Sequence, residues 1–312
     1  MTSPLINLPV SPQLAAARQG AGPRLQPLCI RQAPPAAARP SQRARVTAAA
    51  TQVPQEYETI EIAGITMSAN PGNRPFPDLS TIKAVLFDVD GTLTNSDPLH
   101  FDAFHDILLD YGYKGFKDGA PIDREFFDEH ISGGHNILLS KFLWPDRDQE
   151  FRDKFSDEKE ALFRQYAKDK GLPMVKGLKA WMQWIDDRGI KKCAVTNAPR
   201  KNAEVMLQAL GMEKWFDKVV LGEECANPKP YPDPYQEGLK AFGVKPEETI
   251  VCEDSPSGTA AGVAAGIAVV GVLTSQTKTR MEKAGVSLTI KDYDELVAKA
   301  KADEAKHSNG KA

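Results

Sequence analysis

The sequence predicts a doubly wound α/β protein, a parallel sheet with helices on both faces, and an all-helical segment inserted after the first strand. Three observations lead there. A short apolar run, Ile82-Lys83-Ala84-Val85-Leu86-Phe87, stops on Asp88-Val89-Asp90-Gly91-Thr92. Residues 97–172 keep helical spacing and offer no strand. Residues 173–301 then alternate strand-like and helix-like stretches, the pattern of parallel strands joined by crossover helices.

In chain order, the first 55 residues carry six arginines, no lysine and no acid, and are rich in alanine and proline. That composition suits an organelle transit peptide. Arg45-Val46-Thr47-Ala48-Ala49-Ala50 resembles a plastid processing region, so a chloroplast address is expected. The mitochondrion is the alternative, and an uncleaved disordered tail is the other reading. Residues 56–80 read as a candidate edge strand, Thr59 to Thr66, and a breaker-rich linker around Asn70-Pro71-Gly72-Asn73. The core is expected over 81–96 and 173–301, the helical cap over 97–172, and a polar, frayed tail over 302–312.

Asp97 and Pro98 open the helical segment as N-cap and first helical residue. Phe104, Ile107, Leu108 and Tyr111 follow at helical spacing. Further helices are expected over 124–130, 136–143 and 149–170. The alternating part predicts strands ending at Thr196, Leu221, Glu253, Leu273 and Ile290. Helices are expected around 178–185, 203–210, 234–242 and 258–265, none between the last two strands, and a last helix over 292–301.

The remainder of the chain is more acidic than the overall formal charge of −3 implies, because the leader is purely basic. An acidic body argues against general nucleic-acid binding, which depends on neutralising phosphates. No apolar run approaches the roughly 20 residues that span a bilayer. The four cysteines, Cys29, Cys193, Cys225 and Cys252, contain no C-x-x-C pair, so zinc and dithiol chemistry find no support and no disulfides are expected. A monomer acting on a small molecule is expected.

Ligands of an open parallel sheet bind beyond the carboxyl ends of its strands. Asp88 and Asp90 stand at such an end. Thr196 ends the second strand, and Lys229 lies in the proline-rich loop after the third. Glu253 and Asp254 end the fourth. Four acids, a lysine and a hydroxyl on one edge suit a dianionic phosphate ester and a hard cation. Magnesium takes carboxylate and carbonyl oxygens and bridges to phosphate. A carboxylate nucleophile divides the hydrolysis through an aspartyl phosphate, and a second carboxylate serves as general acid and base.

This ordered set resembles the haloacid dehalogenase superfamily, over roughly residues 82–290. The helical insertion is similar to the cap of its β-phosphoglucomutase and sugar-phosphate phosphatase members. The resemblance implies a Rossmann-like core and a magnesium-dependent phosphatase acting on small phosphorylated sugars or polyols. It implies Asp88 as nucleophile and metal ligand, and Asp90 as acid/base whose backbone carbonyl also binds the metal. Thr196 and the Asn197 amide hold the phosphoryl oxygens. Lys229 balances their charge, and Glu253 and Asp254 complete the metal site, Asp254 as the direct ligand. His100 aligns with a cap histidine that assists proton transfer, yet it also sits on the apolar stripe of its helix, so a packing role stays open. Ser132-Gly133-Gly134-His135-Asn136 looks like the cap's substrate-specificity loop, with an ordinary helix–helix turn as the other reading.

Competing explanations fit less. An EF-hand counted from Asp88 places Leu93 and Leu99 where Gly and Glu are needed. A sugar-transferase D-x-D leaves Lys229 and the second acid pair unexplained. A phosphosugar mutase is the principal alternative, but the resembled mutases have arginine near the Asn136 position. A non-catalytic protein on the same fold is disfavoured by the complete set of groups, and a dehalogenase has no use for Asp90 or the metal acids.

Overall fold

The structure, a computed structural model, describes residues 59–62, 65–68 and 75–309. The leader, Cys29 and most of the linker lie outside the described residues. β1 (Thr59–Ile62) and β2 (Ile65–Ser68) pair antiparallel as a separate two-stranded sheet. The expected edge strand is therefore a hairpin that does not join the main sheet.

That main sheet holds six parallel strands: β3 (Ala84–Phe87), β4 (Lys191–Thr196), β5 (Lys218–Leu221), β6 (Thr249–Glu253), β7 (Ala268–Val272) and β8 (Leu288–Ile290). Their order is β5-β4-β3-β6-β7-β8. β3 is buried at every residue because both faces of the sheet are covered, which is why it reads as an unbroken apolar run. Its side chains alternate between two cores. Val85 and Phe87 join one, with Ala194, Ile250 and Val270; Leu86 joins the other, with Cys193, Val195, Val251 and Val269. α5 (Leu178–Asp186) contributes Trp181 and Ile185 to the first core, and α7 (Asp233–Phe242) contributes Tyr235 and Leu239 to the second. Cys193 and Cys252 are both buried packing residues.

The chain between β3 and β4 carries α1 (Asp97–Asp110), α2 (Arg124–His130), α3 (Asn136–Leu143) and α4 (Gln149–Lys170). Their apolar faces, including Phe104, Phe127, Leu139 and Phe155, form a third core of their own. α6 (Arg200–Ala209), α8 (Pro256–Ala264), α9 (Lys278–Ala284) and α10 (Tyr293–Asn309) complete the described α-helices.

Three details correct the sequence reading. The N-cap of α1 is Ser96; Asp97 is already helical, is buried, and accepts hydrogen bonds from Ser132 Oγ and Arg124. α9 was not expected, although Thr277 caps it through the Arg280 N–H and Gly285 follows it. The supposed frayed tail continues α10 to Asn309. Asp303 holds it: the carboxylate accepts from the Leu79 N–H and pairs with Lys299 and Lys306.

Candidate active site

The site follows from strand register. Phe87 of β3 is level with Ala194 of β4 and Cys252 of β6. One residue further on, Asp88 therefore lies between Val195 and Glu253, and its N–H still bonds the Cys252 carbonyl at 3.0 Å. Lys229 Nζ enters this gap and donates to Asp88 Oδ1 at 2.7 Å, the Val195 carbonyl at 2.7 Å and Glu253 Oε1 at 2.8 Å. All three ammonium donors are thereby placed. Asn197 positions the lysine's loop, accepting from the Lys229 N–H at 3.1 Å and donating to its carbonyl at 3.0 Å.

Asp88, Glu253 and Asp254 offer carboxylate oxygens all within 4.8 Å of one another, and all three residues are buried. Glu253 is fully engaged. Oε1 accepts from Lys229 and the Tyr235 hydroxyl; Oε2 accepts from the Asp254 and Ser255 N–H groups and Ser255 Oγ. It acts as a strut. Asp254 accepts from Thr92 and Ser275 hydroxyls, softer partners that a cation can supplement. Two glycines make room. A Cβ on Gly258 would lie 1.6 Å from Glu253 Oε1, and one on Gly91, whose φ is +71°, would lie 1.9 Å from Asp254 Oδ2.

Three carboxylates share one ammonium, so the cluster is short of positive charge. Burial pushes the Asp88 carboxyl up to about 8; Lys229 opposes this, while Glu253 and Asp90 add to it. Burial and the Asp88 and Glu253 charges likewise hold Asp254 well above the usual carboxylate range. Burial works against the Lys229 ammonium, but Asp88 and Glu253 outweigh it and keep the lysine charged. Buried all-oxygen donors with surplus negative charge fit a hard divalent cation.

Asp90 differs. Its Oδ1 contacts His100 Nε2 at 2.9 Å and accepts from Ser96 Oγ at 2.9 Å. Burial alone would raise its carboxyl, but the His100 and Ser96 contacts hold it below the usual range. The His100 ring stacks on Phe163 at 3.9 Å. It is thus both packed and aimed at Asp90.

Asp88, Asp90, His100, Lys229 and Asp254 line one cavity of about 100 Å³, whose other wall is the helical segment; Glu253 does not line it. Thr196, buried at the end of β4, lines it and accepts from the Ala198 N–H. Gly133, Gly134 and Asn136 also line it, whereas His135 does not. His135 instead caps α3, its Nδ1 accepting from the Ile137 N–H at 3.4 Å, and burial lowers its pKa. Asn136 donates to Glu160 Oε1 at 2.7 Å. Lining residues missed from sequence include Asp97, Lys159, Glu160 and Asn202. The overlooked signal was Lys159 itself, a charge four residues from Phe155 and four from Phe163, on their buried stripe.

The chain belongs to the haloacid dehalogenase-like hydrolases, which match residues 82–266. Among individual relatives, it is 30% identical over 210 residues to a phosphorylated carbohydrates phosphatase of Thermotoga maritima, covering 66% of this chain and 94% of that protein. A phosphoglycolate phosphatase of Rhodospirillum rubrum is 29% identical over 220 residues, 69% of this chain and 89% of the relative. A crystal structure of a family IA, variant 3 hydrolase from Entamoeba histolytica superposes with a TM-score of 0.61 at 26% identity, covering 70% of this chain and all of that one. Among the described residues, no helix is long and apolar enough to cross a membrane.

Proposed function

We propose that the protein is a magnesium-dependent phosphatase that hydrolyses small phosphorylated sugars or polyols through an aspartyl phosphate. The observation that carries this is the meeting of Asp88, Lys229, Glu253 and Asp254, drawn from separate strand ends, in one buried cluster. Asp88 and Asp254, with the Asp90 carbonyl, would hold the ion. When bound, magnesium neutralises phosphoryl oxygens and keeps the Asp88 carboxylate ionised.

The chain's own groups supply the rest. Thr196 and the Asn197 amide orient the phosphoryl group, and Lys229 fixes Asp88 for in-line attack on phosphorus. The ester bond breaks as the Asp88–phosphorus bond forms, and the leaving oxygen takes a proton from Asp90. His100, in contact with the same carboxylate, supplies the proton that Asp90 passes on, which leaves Asp90 ionised after the transfer. Ionised Asp90 then takes a proton from water, which attacks phosphorus and frees Asp88 and inorganic phosphate.

A phosphate-release screen over sugar phosphates, glycerol phosphates, phosphoglycolate and nucleotides tests the reading, with Asp88→Asn as blank. Release by wild type and none by the variant is expected. Turnover by folded Asp88→Asn would reject the nucleophile. We also propose, from composition alone, that residues 1–55 address the protein to the chloroplast, tested by imaging a fluorescent fusion of that segment.

A further inference from the structure

The wall of the cavity formed by the helical segment carries a second ionic arrangement that the phosphoryl chemistry leaves unused. Glu160 and Lys159 of α4 are 5% and 3% exposed and pair with each other. Glu160 Oε1 also accepts from Asn136 Nδ2, and Oε2 accepts from Asn202 Nδ2. The orientation of Asn202 is set by Arg164, which donates to its Oδ1 at 2.7 Å. Burial would raise the Glu160 carboxyl, but the Lys159 and His100 charges and the Lys159 and Asn136 hydrogen bonds hold it low. This is a built, charged and oriented carboxylate facing the reaction chamber.

We propose that Glu160, with Lys159, is the specificity-determining pair of the cavity, accepting a neutral hydroxyl-bearing leaving group and rejecting one that carries a second anion. The assignment rests on the phosphatase reading above and narrows its substrate class. A carboxylate has about four acceptor sites and an ammonium three donors. Glu160 uses three with Lys159, Asn136 and Asn202, and Lys159 directs one donor to Glu160. A sugar or polyol hydroxyl can donate to the remaining acceptor site while accepting from Lys159. A substrate carboxylate or second phosphate meets a lysine whose charge is already matched, and a fixed like charge beside it. Such repulsion in a desolvated pocket is an effective means of exclusion. The lining thus favours the substrate class named for the Thermotoga relative over phosphoglycolate.

The test compares kcat/KM for glycerol 3-phosphate and phosphoglycolate on the full chain with magnesium. Wild type is expected to favour glycerol 3-phosphate by about 10-fold or more, the scale of one pocket contact. Glu160→Gln should shrink that ratio by about 10-fold, and Lys159→Met, which leaves Glu160 unmatched, should widen it. Both ratios within about 2-fold of wild type, or a wild-type preference for phosphoglycolate, would overturn the assignment. Should Glu160→Gln fail to fold, the direction of the Lys159→Met change decides. If folded wild type releases phosphate from no ester, the phosphatase reading itself falls and this assignment with it, a result distinct from a flat ratio.

Discussion

Replacing Lys229 by Met removes the ammonium and keeps most of the side-chain volume, so the effect reports charge rather than a cavity. The ammonium bridges Asp88 and Glu253 at 2.7 and 2.8 Å, and those residues are 7% and 0% exposed. Removing one partner of a buried ion pair costs about 3–5 kcal/mol, because the other charge is left uncompensated. For a domain of this size, each kcal/mol moves the melting temperature by about 2–4 °C. Lys229→Met should therefore melt about 6–20 °C below wild type when both are measured in excess chelator at pH 7. Adding Glu253→Gln to the variant removes the stranded charge and should restore part of the loss, a positive coupling in the double-mutant cycle. A fall below about 3 °C, or no recovery in the double variant, would refute the claim that Lys229 neutralises charged carboxylates.

The other expectations are narrower. Saturating magnesium should raise the wild-type melting temperature, by an amount corresponding to about 2.7 kcal/mol at 100 times the Kd; Asp254→Asn should abolish that shift in differential scanning fluorimetry. Gly91→Ala brings a Cβ to 1.9 Å from Asp254 Oδ2 at a positive φ, so phosphate release should fall by at least about 100-fold even where circular dichroism shows a folded protein. Asp303 is held below the usual carboxyl range: burial raises it, but Lys299, the Leu79 N–H and Lys306 outweigh burial. A depressed folded-state pKa gives stability that is present above about pH 4 and lost as pH falls through the folded value. Urea midpoints measured from pH 7 to pH 3 should therefore fall more steeply for wild type than for Asp303→Asn.

Legibility from sequence followed the geometry of each element. The parallel strands were readable because burial on both faces leaves no polar alternation to confuse them. The main cluster was readable because strands end on it: Asp88, Thr196, Glu253 and Asp254 each stand at the last residue of an apolar run or just after it. Lys229 was readable by its resemblance and its place after β5, although nothing local distinguishes a buried lysine in a loop from a solvated one. His135 misled, because the backbone approach that glycines allow at 133 and 134 does not carry the next side chain into the cavity. There the imidazole satisfies a helix terminus instead.

Two of the regions that sequence missed share one cause. In α4, a helix with charges at many positions, Lys159 occupies the Phe155–Phe163–Ala167 stripe; in α10, Asp303 continues the stripe of Leu296 and Ala300. Counted as composition, both look like solvated faces. Counted by position, each places a charge where the helix buries its apolar side, and a buried charge needs partners brought from elsewhere in the chain. What those partners enclose separates the two. Asp303 gathers the Leu79 N–H and two lysines of its own helix, and so ties the end of α10 to the turn before β3. Lys159 and Glu160 gather Asn136 and Asn202 around the chamber that also contains Asp88. A charge on an apolar stripe thus marks a tether when its partners close on themselves, and a recognition surface when they leave donors and acceptors facing space.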